Sequence, residues 1–139
     1  MRDFQVAIVV DGKKYLSIVQ ALLEEAVRGM KVDWHASDHS ALISAMSALI
    51  MQRRPVLLVL NSEFNDPAKG EYRRSLAHQG LYDVADREFW EVAMAEPNIE
   101  AWRVADERET AELIAKTPDL RAAVDFLERV KSGAVVARG

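Results

Sequence analysis

The chain contains no cysteine. That excludes a disulfide framework and any thiolate metal centre, and it fits a reducing cytoplasm. No apolar run approaches the roughly 20 residues that a membrane-spanning helix needs. The opening M-R-D-F-Q lacks the basic and apolar segments of a secretory leader. A cytoplasmic protein without a membrane partner is therefore expected. Positive charge is not in excess either, since 18 Lys and Arg face 22 Asp and Glu, a formal net charge of -4. This excludes a surface coated in basic residues for nucleic acid, although a metal in an acidic pocket can still meet a phosphate locally. Neither a G-x-G-x-x-G turn nor a G-x-x-x-x-G-K-[ST] loop occurs, so the common nucleotide cradles are missing. A Ser-His-Asp order and a G-x-S-x-G elbow are absent too, which leaves acyl transfer with little support. His35 and His39 stand four apart, but across an expected strand-to-helix junction, not on one helix face.

What is present is a set of buried-strand signals. With 139 residues, half of them hydrophobic, one domain with a sizeable core is expected. Val6 to Lys13 reads V-A-I-V-V-D-G-K, an unbroken apolar run that ends in an acid and a glycine. Such a run suits a strand covered on both faces by helices, with ligands at its carboxyl end. A helix with Ile18, Val19, Leu22, Leu23, Ala26 and Val27 inward follows and stops near Gly29. Val32–Trp34 forms a short second strand. The next helix, capped by Ser37 or Asp38, runs to Arg53–Arg54. Val56–Leu60 is the second wholly apolar run and ends in Asn61-Ser62-Glu63. A β-α-β-α-β unit brings the ends of both runs to one sheet edge, despite 50 intervening residues.

Beyond that unit the pattern weakens. Residues 65–70 (N-D-P-A-K-G) read as a loop, 71–95 as a helix interrupted at Gly80, and 98–104 as a fourth strand. Helices from about Asp106 and from Thr117-Pro118 close the chain, the last stopping at Gly133. The tail A-V-V-A-R-G either frays or docks on an edge strand. The expected architecture is a single α/β domain, Rossmann-like, with three layers and a mainly parallel four-stranded sheet. Tyr82, Phe89, Trp90 and Met94 read as core or as a partner surface, and Trp102 as packing.

Oxygen donors collect at the strand ends: Asp11, Asn61 and Glu63, with Glu100 or Asp106 beside them. Carboxylate and amide oxygens suit Mg²⁺ or Mn²⁺. V-V-D-G-K at 9–13, followed by an amphipathic helix, resembles the first motif of TOPRIM domains, where a glutamate precedes the glycine. L-V-L-N-S-E at 58–63 stands where that family carries D-x-D, and E-P-N-I-E-A-W at 96–102 is similar to a P-x-x-E-x-W-like segment. That segment belongs to small TOPRIM-type proteins related to the overcoming-lysogenization-defect nucleases. The resemblance covers about residues 4–106, with the helices of 106–133 beyond it. It implies Mg²⁺ (or Mn²⁺) held by Asp11, Asn61 and Glu63, acid–base roles for Asp11 and Glu100, and phosphate contacts from Lys13 and Arg73. It also implies phosphodiester chemistry on nucleic acid in phage defence or DNA processing. Some of these small proteins accompany ATPases of the ABC or structural-maintenance type.

Two of the motifs depart from the family. Asp11 is a methylene shorter than glutamate, and Asn61 is neutral where the family has an anion, which weakens a hard-cation site. Two principal readings stay open. One is a metal-dependent TOPRIM-like nuclease. The other is a catalytically silent α/β module that packs on an ATPase or on a second copy of itself. A small-molecule sensor using the same strand-end cleft is a third.

Overall fold

The structure, a computed structural model, describes residues 4–63 and 66–136. Four strands form one sheet in the order β2-β1-β3-β4, and every neighbouring pair is parallel. They are β1 (Val6–Asp11), β2 (Val32–Ser37), β3 (Val56–Asn61) and β4 (Trp90–Ala95). Helices α1 (Leu16–Leu22), α2 (Ala41–Ser47), α3 (Pro67–Tyr82), α4 (Glu107–Lys116) and α5 (Pro118–Lys131) cover it. Every residue of β1, β3 and β4 is buried, as the apolar runs predict for strands enclosed on both faces.

The two faces sort by alternation. Val6, Ile8 and Val10 meet Ile18, Leu22, Phe126 and Leu127 of α1 and α5, whereas Ala7 and Val9 meet Ala41, Ala45 and Leu81 of α2 and α3. This is the three-layer α/β arrangement expected from the sequence. The last helix belongs to the same core as β1, because Leu120, Ala123, Phe126, Leu127 and Val130 are all buried there. Among the described residues no helix is long and apolar enough to cross a membrane.

Several boundaries differ from expectation. The fourth strand is Trp90–Ala95, not 98–104; Ile99–Trp102 is a 3₁₀ turn, whose three-residue repeat buries Ile99 and Trp102 together. W-E-V-A-M-A is made largely of helix-preferring residues, so its composition disguises a strand that burial imposes. The expected loop at 65–70 is already helix from Pro67, capped by Asp66 through its side chain to the Ala68 N–H at 3.0 Å. Asn65, assigned to that loop, lies outside the described residues, as do residues 1–3 and 137–139 of the two termini. The first helix stops at Leu22, short of Gly29, and the cap of α2 is Ser40 instead of Ser37 or Asp38. Ala48–Gln52 continues α2 as a π-helical turn, and Arg53 then leaves it in the left-handed conformation at φ 54°.

Candidate strand-end site

In the order β2-β1-β3-β4, the chain leaves β1 towards one side of the sheet and arrives at β3 on the other. The crevice between their carboxyl ends is the topological switch point, where open α/β sheets take ligands. Asp11 and Asn61 end those two strands and are 8% and 4% exposed. The spatial meeting expected from the sequence therefore occurs.

Its chemistry is dense. Asp11 Oδ2 accepts from the Asn61 backbone N–H at 3.2 Å, from Asn61 Nδ2 at 3.3 Å and from Arg73 Nη2 at 2.9 Å. Asn61 Nδ2 also donates to the Asp11 carbonyl at 2.7 Å, while Asn61 Oδ1 accepts the Ile99 N–H at 2.8 Å. Asn61 thus stitches β1, β3 and the 3₁₀ turn together with both ends of its amide. Arg73 reaches in from α3, and its Nη1 stands 3.9 Å from Glu63 Oε2. Glu63 is held in the left-handed region at φ 65°, where its N–H donates to the Pro97 carbonyl at 2.7 Å.

Around this cluster lie two adjoining hollows of about 430 and 460 Å³, both lined by Asp11, Asp38 and Glu63. Lys14, Tyr15, Asn61 and Asn98 help to line one; Arg73, His39, Ile43 and Leu76 help to line the other. Gly12 turns the chain at φ 113°, and a Cβ there would stand 2.9 Å from the Tyr15 ring, so only glycine fits the turn. Asp38 was expected as a helix cap. Its Oδ1 instead accepts the Lys13 N–H at 2.9 Å, which ties the turn after β1 to the end of β2. Asp38 and Lys14 are the charged lining residues that sequence reasoning did not assign to the site. The signal for Asp38 was its position just past β2, at the same sheet edge.

The remaining expected site residues stand apart. Glu100 lines neither hollow and forms a two-bond pair with Arg103 at 2.8 and 3.1 Å. The hydrogen bond from Arg103 lowers the Glu100 pKa. Lys13 is exposed in the 3₁₀ turn after Gly12 and lines neither hollow.

The Asn61 amide oxygen is turned to the Ile99 N–H, and a guanidinium stands beside both Asp11 and Glu63. Among the described residues no group of three or more acidic, histidine or cysteine side chains is arranged to hold a metal ion. In this arrangement the residues do not form a Mg²⁺ or Mn²⁺ cage. The positive charge at that point is the Arg73 guanidinium.

The chain was compared with protein-family models, curated proteins and solved structures. None matches.

Further along α3, His78 meets the Trp90 ring edge-on with centroids 5.2 Å apart. Its Nε2 is buried without a hydrogen-bond partner among the described residues. Burial, followed by the charges of Arg87 and Arg74, lowers its pKa from the usual 6.5. A histidine with a depressed folded pKa binds its proton more readily in the unfolded chain. Its contribution to stability is complete above the unfolded pKa and is lost as the pH falls from there through the folded value. The thermal midpoint is expected to drop as the pH falls below the ordinary histidine value of about 6.5, and less steeply in His78→Phe. Equal slopes in the two proteins would show that His78 does not titrate this way.

Proposed function

We propose that this chain is a non-catalytic α/β interaction module whose strand-end residues have become structural. Carrying this reading is the Arg73 guanidinium, 2.9 Å from Asp11 and 3.9 Å from Glu63, beside an Asn61 whose amide is satisfied at both ends. A catalytic carboxylate pair has to be open to cation and substrate; here Asp11 is buried against the guanidinium, and Glu63 alone stays open at the rim.

The surface supports the same reading. Among the described residues seven large hydrophobic side chains are exposed, and six of them lie on α2, its π-helical turn and α3: Ile43, Ile50, Met51, Tyr72, Leu76 and Tyr82. Met51 is 81% exposed. Side chains of this kind gathered on one layer mark a protein-binding face. The aromatic-rich segment considered from the sequence is a poorer candidate, because Trp90, Met94 and Trp102 are core. The TOPRIM resemblance suggests an ATPase of the ABC or structural-maintenance type as the partner for this face.

A second reading keeps phosphodiester chemistry on nucleic acid with Mg²⁺ or Mn²⁺. It is favoured by one observation, that Asp11 and Glu63 flank a single guanidinium and a single pair of hollows. On that view Arg73 holds the place of a cation. One experiment separates the two. Calorimetric titration with Mn²⁺ to millimolar concentration is expected to show no saturable binding in the wild type or in Arg73→Ala, with no nicking of DNA by either. Binding by Arg73→Ala alone would favour the placeholder reading. Binding and nicking by the wild type, lost in Asp11→Asn, would overturn the non-catalytic one.

A further inference from the structure

The two edges of the sheet are finished differently. In a parallel ladder alternate residues of an edge strand bond the neighbouring strand, and those between them point their N–H and C=O groups outward. On β4 the Ala95 carbonyl accepts from Ser62, so Trp90, Val92 and Met94 face out. Charged side chains take up these outward groups. Glu91 Oε2 accepts the Val92 N–H at 3.0 Å and Asp119 Oδ2 the Met94 N–H at 2.7 Å, while Arg87 donates to the Trp90 carbonyl. Arg87 holds Glu91 at 2.7 Å, and Arg74 holds Asp119 with two bonds at 2.8 and 3.2 Å. This edge is sealed against another strand.

Among the described residues no such cover lies over β2. The Ser37 carbonyl accepts from Gly12, so Asp33, His35 and Ser37 bond β1, and Val32, Trp34 and Ala36 direct their backbone groups outward. Among the described residues no side chain bonds to those three backbones. The strand carries its own complement. If two copies pair antiparallel about a twofold axis at Trp34, Val32 faces Ala36 of the other copy, and the three outward residues exchange backbone bonds. Asp33 then stands opposite His35 of the other copy, twice over, in the non-hydrogen-bonded positions where side chains come closest. The Trp34 rings meet on the α1–α5 face, where Val32, Trp34 and Ala36 already pack half-buried.

From the sealed β4, the open β2 and the Asp33–His35 complementarity, we infer that this protein forms a twofold homodimer by joining its β2 edges into one continuous sheet. The occupant of the edge is a second copy of the chain. The α2–α3 face plays no part, so the inference stands apart from the function proposed above.

Sedimentation equilibrium of the full chain, from about 1 to about 200 µM, tests it. The wild type is expected to dimerise. His35→Asp sets like charges opposite one another at both positions and should weaken the dissociation constant about tenfold. Asp33→His combined with His35→Asp exchanges the two partners across the axis and should restore wild-type affinity. Thermal melts confirm that each variant folds. A wild type that stays monomeric throughout overturns the proposal, as does a His35→Asp dimer of undiminished affinity. A dimer lost in Met51→Lys but unaffected by His35→Asp also overturns it, because that result places the contact on the α2–α3 face.

Discussion

Asn61→Ala is expected to lower the free energy of unfolding by about 2–4 kcal/mol, read from urea denaturation. The side chain is 4% exposed and serves the Asp11 carbonyl at 2.7 Å and the Ile99 N–H at 2.8 Å. Removing it strands a buried acceptor and a buried donor at once, each costing about 1–3 kcal/mol, with partial relief from water. A residue retained as a metal ligand behaves differently. Its loss in metal-free solution is close to neutral, because a bare ligand contributes little to the apoprotein. A change under about 0.5 kcal/mol, the range of ordinary surface substitutions, would therefore count against the clamp. Asn61→Asp is equally informative. It restores the anion of the TOPRIM motif but turns the Nδ2 donor into a second acceptor facing the Asp11 carbonyl, with like charge beside Asp11 Oδ2. Destabilisation comparable to that of alanine is the expected result. The neutral amide, which looked like a damaged ligand in sequence, is the group this junction requires.

Trp90→Ala should cost more, about 3–5 kcal/mol, as for large aromatic truncations in a packed core. Trp90 opens β4 and is fully buried. Its ring takes Tyr82 edge-on at 4.9 Å and His78 at 5.2 Å, the Arg87 guanidinium lies 4.3 Å from its centroid, and its Nε1 donates to the Ala85 carbonyl at 3.2 Å. Truncation removes the common contact of α3, the turn before β4 and β4 itself. Arg87, which also bonds the Trp90 carbonyl and Glu91, would lose the ring it lies over. Chemical denaturation followed by circular dichroism measures the loss. A cost below about 2 kcal/mol would mean that the α2–α3 layer closes over the vacated volume instead of leaving a cavity.

The two readings of β4 show why the second half of the chain was harder to read than the first. Val6–Val10 and Val56–Leu60 are apolar runs, branched at every position but Ala7, that no surface helix tolerates, so their strand character and burial follow from composition. Trp90–Ala95 contains Glu91, and a carboxylate in a buried strand reads as an error until its partners are seen. Those partners are Arg87, four residues away, and the N–H of Val92. Ile99 and Trp102 are likewise apolar residues whose spacing suits several backbones, and packing selected the 3₁₀ turn.

The site divides along the same line. Sequence alone determined that Asp11 and Asn61 end two buried parallel strands and meet at one edge, because apolar periodicity and short connections are local properties that each segment carries by itself. It also determined the three-layer α/β class. Tertiary structure decided what stands between the acids. Arg73 lies 62 residues from Asp11, on a helix whose rotation about its own axis no local pattern specifies. Whether a carboxylate faces a cation site or a guanidinium depends on that rotation, and packing across the whole sheet sets it.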